Sequence, residues 1–309
     1  MVTGATGFVG SHLLSVLLEQ GEVVASDISG PTHDLEEVLG RIKFERTDIG
    51  SFSEVLRLVE KYKPTTIYWI GAMRGPQCDE RPAAGIRTNA LGTYYVLEAA
   101  RLFDVKRVIF SGSQSIFSAV NPNDPTINDF STTRPDTVYG TAKLFSENIG
   151  LCYRRLYGID FRGLRLATVI GPGSTAHGYL DYFNKAIEES IYGRPYAICV
   201  APRNRVPIIH VKDAVPLIEL AAAPADAIKT VNYNVLGPTP TPSAQELVDT
   251  VKAKIPAAAL KFEINEDFQK LLDTNIVKPF DDSRARSEWG WKSRLDLDAI
   301  VEDFIANTT

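Results

Sequence analysis

Segments with the patterns of strands and helices alternate along the first ~170 residues of the chain. Apolar runs of strand length, such as Thr66–Ile70 and Arg107–Ser111, alternate with amphipathic helical segments, such as Ser51–Tyr62 and Tyr139–Tyr157. A strand that is joined to the next one through a helix runs parallel to it, and such connections place helices on both faces of the sheet. The alternation therefore predicts an α/β fold with a doubly wound parallel sheet.

A glycine-rich turn, Thr3-Gly4-Ala-Thr-Gly7-Phe-Val-Gly10, joins the first strand to the first helix. Glycines let backbone N–H groups at a helix N-terminus approach a phosphate closely, and Asp27 at the end of the second strand suits a pair of ribose hydroxyls. This order of strand, turn, helix and acid predicts a Rossmann domain that binds a dinucleotide. A carboxylate at Asp27 repels a 2′-phosphate and no arginine follows it closely, so NAD is favoured over NADP.

The strand before this turn is unusually short in the sequence. Only Met1 and Val2 precede the turn, whereas a buried strand usually has about five or six residues. We therefore expect further apolar residues before Met1 in the natural protein. An intact mass that corresponds to a natural chain starting at Met1 would contradict this expectation.

A tyrosine and a lysine four residues apart, Tyr139 and Lys143, lie on one face of a predicted helix. A tyrosine has a pKa near ~10 and acts as a base at neutral pH only where its phenolate is stabilised, which a neighbouring lysine ammonium and an oxidised nicotinamide ring can do. The serines Ser111, Ser113 and Ser115 follow a buried strand and reach the ligand crevice at the carboxyl edge of the sheet. We predict Ser113, Tyr139 and Lys143 as the catalytic group, with Ser115 and Ser111 as second choices for the hydroxyl that polarises the reacting carbonyl.

Composition argues against several classes of partner. Of the 309 residues, 44% are hydrophobic and 23% charged, and no segment approaches the ~20 consecutive apolar residues of a membrane helix. The net charge is −5 without a Lys/Arg-rich run, which argues against nucleic acid. Three widely spaced cysteines fit neither a disulfide framework nor a metal site, and no secretory signal is visible. We expect a cytoplasmic protein that binds a small molecule, and neither metal, membrane nor nucleic acid.

The strand–helix rhythm changes beyond Gly171, where a loop precedes an amphipathic helix predicted from Tyr179 to Tyr192. We expect residues 1–170 to form the NAD-binding domain, with about 207–236 and part of 281–309 returning to it. The segments 171–206 and 237–280 are expected to form a smaller, mostly C-terminal domain that binds the substrate.

At these motifs the chain resembles the extended short-chain dehydrogenase/reductase family, also described as NAD-dependent epimerases and dehydratases. The resemblance extends from the glycine-rich turn through Asp27, Asn89, Tyr139 and Lys143 to the segment Asp281–Trp291. Within the family the chain is most similar to the L-threonine 3-dehydrogenases of the epimerase-like type, in the segments 134–143, 155–165 and 281–291.

The resemblance implies a set of cofactor contacts and an oligomeric state. The implied NAD-binding residues are Gly4, Thr6, Gly7, Phe8, Val9, Gly10, Asp27, Asp48, Ile49, Gly71, Ala72, Asn89, Tyr139, Lys143 and Leu166. Helices near Thr88–Phe103 and Tyr139–Tyr157 form a dimer bundle in proteins of this type, so a homodimer is expected.

Nucleotide-sugar epimerases and dehydratases are the alternative class. They usually have an asparagine where this chain has Thr168 and an arginine where it has Val206, although Arg205 is only one residue away from that place. The sequence therefore favours an NAD-dependent oxidoreductase that transfers a hydride between NAD and a secondary alcohol or ketone of a small polar substrate, such as L-threonine or a related hydroxy acid or sugar acid. A nucleotide-sugar 4-epimerase or dehydratase with NAD as bound cofactor remains the alternative. A dinucleotide-sensing regulator on the same fold would not need Tyr139 and Lys143.

The loops on the expected substrate side depart from the threonine dehydrogenases that the chain resembles. Arg74 and His177 stand where smaller or acidic groups are usual, while Thr175 is retained. Arg74 could clamp a substrate carboxylate, and both side chains could equally be solvated loop residues. The predicted substrate-binding residues are Arg74, Ser115, Thr168, Thr175 and His177.

Overall fold

Seven parallel strands form the central sheet of the computed structural model, which describes residues 1–32, 35–36, 38–118, 126–174, 179–213, 216–275 and 278–308. The strands of the chain are β1 (Val2–Thr3), β2 (Val23–Asp27), β3 (Ile42–Arg46), β4 (Thr66–Trp69), β5 (Arg107–Ser113), β6 (Asp160–Leu166), β7 (Thr168–Ile170), β8 (Tyr196–Ile198), β9 (Ile208–His210), β10 (Asn232–Val235) and β11 (Leu260–Phe262). The sheet has the order β10-β6-β5-β4-β1-β2-β3, and every neighbouring pair in it is parallel. The predicted doubly wound parallel sheet is confirmed.

Helices connect these strands and cover the sheet. They are α1 (Phe8–Leu17), α2 (Phe52–Tyr62), α3 (Gly75–Glu80), α4 (Pro82–Gly85), α5 (Gly92–Leu102), α6 (Val138–Tyr157), α7 (Tyr182–Ile191), α8 (Pro216–Ala222), α9 (Ala244–Lys254), α10 (Glu266–Asn275), α11 (Ser283–Trp289) and α12 (Leu297–Asn307). A π-helical stretch, Ile86–Leu91, leads into α5. The capping box of Ser243 and Glu246 begins α9, and the carboxylate of Asp296 begins α12.

The strand order reverses in the middle of the sheet. The chain runs outward from β1 to β2 and β3, and then returns to place β4 on the other side of β1. The short strand β1 lies at this reversal, with Val2 paired to Ala25 on one side and to Tyr68 on the other. In open parallel sheets a ligand crevice forms at such a switch point, beyond the carboxyl ends of the strands.

Two main apolar cores hold the molecule together. The larger core lies between the sheet and its flanking helices and includes the buried rings of Trp69 and Phe110. The second core joins α7, α9 and α12, with Phe183, Leu247 and Phe304 at its centre. The second core also holds the short parallel pair of β8 and β11.

Candidate active site

A cleft of about 1680 Å³ crosses the carboxyl ends of the central strands. Most of the predicted site residues line it: Gly4, Thr6, Gly7, Phe8, Val9, Gly10, Asp27, Asp48, Ile49, Gly71, Ala72, Arg74, Ser113, Ser115, Tyr139, Lys143, Leu166 and Thr168. Asn89 is instead buried behind the wall, where its amide group bonds both the backbone nitrogen and the backbone oxygen of Met73 at 2.8 Å. The predicted residues Thr175 and His177 lie outside the described residues.

The glycine-rich turn packs so closely at Gly4 and Gly10 that neither position has room for a side chain. Gly4 has a φ of +68°, and a Cβ atom there would lie 2.5 Å from the Cα of Gly71. A Cβ atom on Gly10 would lie 2.0 Å from the backbone oxygen of Gly4. Helix α1 begins at Phe8 with Gly7 as its N-cap, which supplies no side-chain hydrogen bond. The N-terminus of α1 therefore faces the cleft with the backbone geometry that binds a phosphate.

Two carboxylates border this end of the cleft in different ways. Asp27, at the end of β2, accepts hydrogen bonds from the backbone N–H groups of Thr6 at 3.1 Å and Ser29 at 3.2 Å. The glycine-rich turn thereby fixes the position of this carboxylate. Asp48 accepts from the backbone of Gly50 and from the guanidinium of Arg87, each at 2.8 Å, so its side chain closes a turn and forms an ion pair.

Tyr139 and Lys143 lie one turn apart at the start of α6. The hydroxyl oxygen of Thr137 caps this helix by accepting from the backbone of Gly140 at 3.0 Å. Lys143 is buried, and its Nζ donates a 2.6 Å hydrogen bond to the backbone oxygen of Ser111. The same Nζ lies 5.5 Å from the centre of the Tyr139 ring. The helix therefore brings the two residues together as the four-residue spacing predicts.

Ser113, at the end of β5, connects its neighbours to Tyr139. Its Oγ accepts from the hydroxyl of Ser115 at 2.9 Å and from the backbone of Ser115 at 3.2 Å. Ser113 is also hydrogen-bonded to the Tyr139 side chain. Because Ser115 donates to Ser113, the hydroxyl hydrogen of Ser113 is left to be donated to the phenol oxygen or to a ligand oxygen. Of the three candidate serines, Ser113 is the one that contacts the phenol, while Ser111 takes part through its backbone oxygen.

The electrostatic balance of this group differs from the sequence expectation. Burial raises the pKa of Tyr139 to about 12, and the hydrogen bond with Ser113 only partly opposes it. Burial likewise lowers the pKa of Lys143 to about 8. The pKa of Tyr139 is therefore raised, not lowered as the sequence analysis expected, because desolvation favours the uncharged form of both groups.

The rest of the cleft is lined by residues from several separate segments. Those that the sequence analysis did not select include Gln77, Asp79, Asp136, Leu180, Asn265, Asp267, Phe268 and Phe280. The sequence could have indicated Asp136 as a site residue, because it lies three residues before Tyr139. It could have indicated Asp79 in the same way, because that residue follows β4. No local pattern marks the residues of α10, because they reach the cleft only through packing of the second core.

Arg205 does not reach the cleft wall, whereas the adjacent Val206 lines it. The guanidinium of Arg205 donates to the backbone oxygen of Thr241 at 2.6 Å and pairs with the carboxylate of Glu246 at 2.8 Å. Arg205 is therefore paired with groups outside the cleft. At the position where nucleotide-sugar epimerases usually have an arginine for the diphosphate, this chain has the apolar Val206.

Residues 1–235 match the family model described as the NAD dependent epimerase/dehydratase family. This chain belongs to that family. It is an extended short-chain dehydrogenase/reductase that uses NAD, as the glycine-rich turn and Asp27 predicted. The close-packed turn and the carboxylate held at the end of β2 fit this cofactor.

This chain is similar both to threonine dehydrogenases and to epimerases. The mitochondrial L-threonine 3-dehydrogenase of Bos taurus is 28% identical over 306 residues, which cover 97% of this chain and 80% of the relative. The UDP-glucose 4-epimerase of Mycolicibacterium smegmatis is 28% identical over 305 residues, covering 96% and 94% of the two chains. Among solved structures, the holo form of an L-threonine dehydrogenase from Cupriavidus necator has a TM-score of 0.88 at 26% identity, with 99% of this chain and 98% of that chain covered.

Within the described residues, the helices are too short or too polar to cross a membrane.

Proposed function

We propose that this protein is an NAD-dependent dehydrogenase that oxidises the secondary alcohol of a small polar substrate, such as L-threonine or a related hydroxy acid or sugar acid. The observation that carries the proposal is the contact of Ser113 with Tyr139, one helical turn from the buried Lys143, in a cleft that the glycine-rich turn also lines. The likeness to L-threonine dehydrogenases along nearly the whole chain supports this substrate class.

In this reaction the phenol oxygen of Tyr139 accepts the proton of the substrate hydroxyl. Ser113 donates a hydrogen bond to the same substrate oxygen and holds it beside the phenol. Lys143, fixed by the backbone oxygen of Ser111, places its positive charge beside the Tyr139 ring and so favours the phenolate. NAD, when bound, supplies the hydride acceptor. Lys143 is buried, and Tyr139 is half-buried in the cleft wall, so little of either side chain is open to water.

The cofactor is held by the groups at the other end of the cleft. The N-terminus of α1 and the glycine-rich turn bind the pyrophosphate, and Asp27 binds the adenosine ribose. Ile49, Gly71, Ala72 and Leu166 line the same cleft and complete the proposed NAD site. The remaining proposed contacts with NAD are Thr6, Phe8, Val9 and Asp48. Asn89 supports this wall through Met73.

The side chains of the cleft support a small substrate rather than a nucleotide sugar. Arg205 is bound to Thr241 and Glu246, and Val206 stands at the place of the usual diphosphate contact. Arg74 lines the cleft and is exposed, so we propose it as the residue that binds a substrate carboxylate. Thr168 and Ser115 complete the polar wall near Tyr139.

A nucleotide-sugar 4-epimerase is the second candidate. The similarity to the M. smegmatis UDP-glucose 4-epimerase, at the same 28% identity as the bovine threonine dehydrogenase, favours it. The two functions differ in their redox balance. A dehydrogenase releases NADH with each turnover, whereas an epimerase returns the hydride to its substrate and accumulates no NADH.

The test is NADH formation, followed by absorbance, with purified protein, NAD and L-threonine. Saturable turnover that Tyr139→Phe abolishes, while NAD binding is retained, supports the proposal. If NAD binds but L-threonine, hydroxy acids and sugar acids all give no NADH, the dehydrogenase proposal fails. Conversion of UDP-glucose to UDP-galactose without net NADH would then establish the second candidate.

We also propose that the protein is a homodimer made of two domains. Apolar side chains stand exposed on and beside α5 and α6, including Leu102, Phe145, Leu151 and Leu156. A four-helix contact between two copies would bury them. Sedimentation of the wild type against Leu156→Lys tests the dimer.

The second core belongs to the smaller domain, which we assign mainly to residues 171–206 and 237–280.

A further inference from the structure

Asp79 joins the loop that follows β4 to the first turn of α6. Its Oδ1 accepts a 3.1 Å hydrogen bond from the backbone N–H of Val138, the residue before Tyr139. The first N–H groups of a helix have no partner within the helix, so the acceptors that they find determine how the first turn is held. Thr137 caps Gly140, and Asp79 caps Val138 from a segment about sixty residues earlier in the chain.

The segment that carries Asp79 is itself fixed at its other end. Asn89 bonds both backbone groups of Met73 at 2.8 Å, and the Sγ of the buried Cys78 donates to the backbone oxygen of Met73 at 3.3 Å. The short helix α3 runs from Gly75 to Glu80 between these contacts and Val138. The segment from Met73 to Asp79 is therefore held at both ends, by Asn89 and Cys78 at Met73 and by Val138 at Asp79.

This arrangement places Arg74, the proposed substrate contact, and Tyr139, the proposed proton acceptor, beside the same short helix α3. Arg74 immediately precedes α3 and Asp79 lies near its end, and both line the cleft with Tyr139. A Cβ atom on Gly75 would lie 4.0 Å from the Cβ of Tyr139, so α3 passes directly beside the tyrosine. A loosened first turn of α6 would let the phenol move relative to Ser113, which belongs to β5.

We propose that Asp79 is a positioning residue, which holds Tyr139 in its productive orientation through the hydrogen bond to Val138. The inference rests on the proposed function of Tyr139. The hydrogen bond, rather than the negative charge, is the active feature. A carboxamide oxygen at the same place should therefore serve as well as a carboxylate oxygen.

Three variants separate the hydrogen bond from the charge. Asp79→Ala removes both, Asp79→Asn keeps the acceptor oxygen and removes the charge, and Glu80→Ala removes a charge from the neighbouring exposed position. We expect Asp79→Ala to lose about tenfold in kcat, because small displacements of a catalytic group are costly, with little change in the KM for NAD. Asp79→Asn should stay within about twofold of the wild type, as should Glu80→Ala.

An activity-independent measurement accompanies these kinetics. Amide hydrogen exchange in residues 138–143 of the full-length protein should be faster in Asp79→Ala than in the wild type, and unchanged in Asp79→Asn. Unchanged exchange in Asp79→Ala, or equal kcat losses in the alanine and asparagine variants, would overturn the proposal. If the wild type oxidises no candidate alcohol, the proposed function fails, while the exchange comparison still decides whether Asp79 holds the start of α6.

Discussion

The Nζ of Lys143 donates a 2.6 Å hydrogen bond to the backbone oxygen of Ser111, and Lys143 itself is only 3% exposed. This hydrogen bond and the nearby Cys78 and Glu147 do not offset the loss of hydration of the ammonium group, and burial therefore lowers the pKa of Lys143 to about 8 from 10.5. Between these pH values the unfolded chain holds a proton that the folded protein releases. The free energy of unfolding should therefore rise as the pH increases from about 8 to 10.5, and below pH 8 the buried charge costs the folded state about 3 kcal/mol.

Lys143→Met tests this cost directly. The variant should lose turnover, and its free energy of unfolding at pH 7 should exceed that of the wild type by about 1–3 kcal/mol, since a thioether is buried without a charge penalty. Urea unfolding at pH 7 and pH 10 measures the difference, which should shrink at the higher pH. Lys292→Met, at an exposed position, is the matched control. A lower stability of Lys143→Met than of the wild type at pH 7 would show that the ammonium group stabilises the fold.

Gly10→Ala should damage the cofactor end of the cleft. The new Cβ would lie 2.0 Å from the backbone oxygen of Gly4, and no flexible side chain can move away there, so the turn itself must shift. We expect at least ~10-fold weaker NAD binding, or ~1.4 kcal/mol, together with a lower melting temperature. Isothermal titration with NAD measures the affinity. Gly40→Ala, where nothing lies within 4 Å of the added Cβ, should bind NAD like the wild type. Equal affinities of the Gly10 variant and the wild type would refute a phosphate-binding role for this turn.

Glu147, one turn beyond Lys143 on α6, forms a buried bidentate pair with Arg165 of β6, at distances of 2.9 and 2.8 Å. Glu147→Gln leaves the buried guanidinium without its paired carboxylate, and should cost about 3–5 kcal/mol of folding free energy. Arg165→Met should cost a similar amount, and the double variant clearly less than the sum. Asp273→Asn, in the exposed pair with Arg203, should cost under ~1 kcal/mol. Additive losses in the double variant would mean that the two buried side chains act independently.

The residues whose placement could be predicted from the sequence are those whose position follows from the sheet itself. Strands that alternate with helices run parallel, so the glycine-rich turn after β1, Asp27 after β2 and Ser113 after β5 had to meet at one edge. The spacing of Tyr139 and Lys143 placed both on one face of α6 for the same geometric reason.

Other features depend on tertiary packing that no local pattern records. The strands β8, β9 and β11 have three residues each, too few for a period-2 signal. Asp267 and Phe268 reach the cleft because the second core docks α10 there. The directions of the pKa shifts could not be predicted from the sequence either, because they depend on how far the fold removes Tyr139 and Lys143 from water.

These pKa directions determine how oxidation should depend on pH. The active state contains the Tyr139 phenolate and the Lys143 ammonium, which together hold as many protons as the neutral phenol with the neutral amine. Because Lys143 has a pKa of about 8 and Tyr139 one of about 12, a pair with that number of protons predominates between these values. The active fraction should therefore increase up to tenfold per pH unit below pH 8 and level off above it. A plot of kcat/KM for alcohol oxidation from pH 6 to pH 10 measures this, with NAD saturating throughout. In the reverse direction, reduction of the ketone needs a proton from the same pair, so its rate should fall as the pH rises through 8. An oxidation rate that is independent of pH between 6 and 8 would show that the proton does not pass through Tyr139 and Lys143.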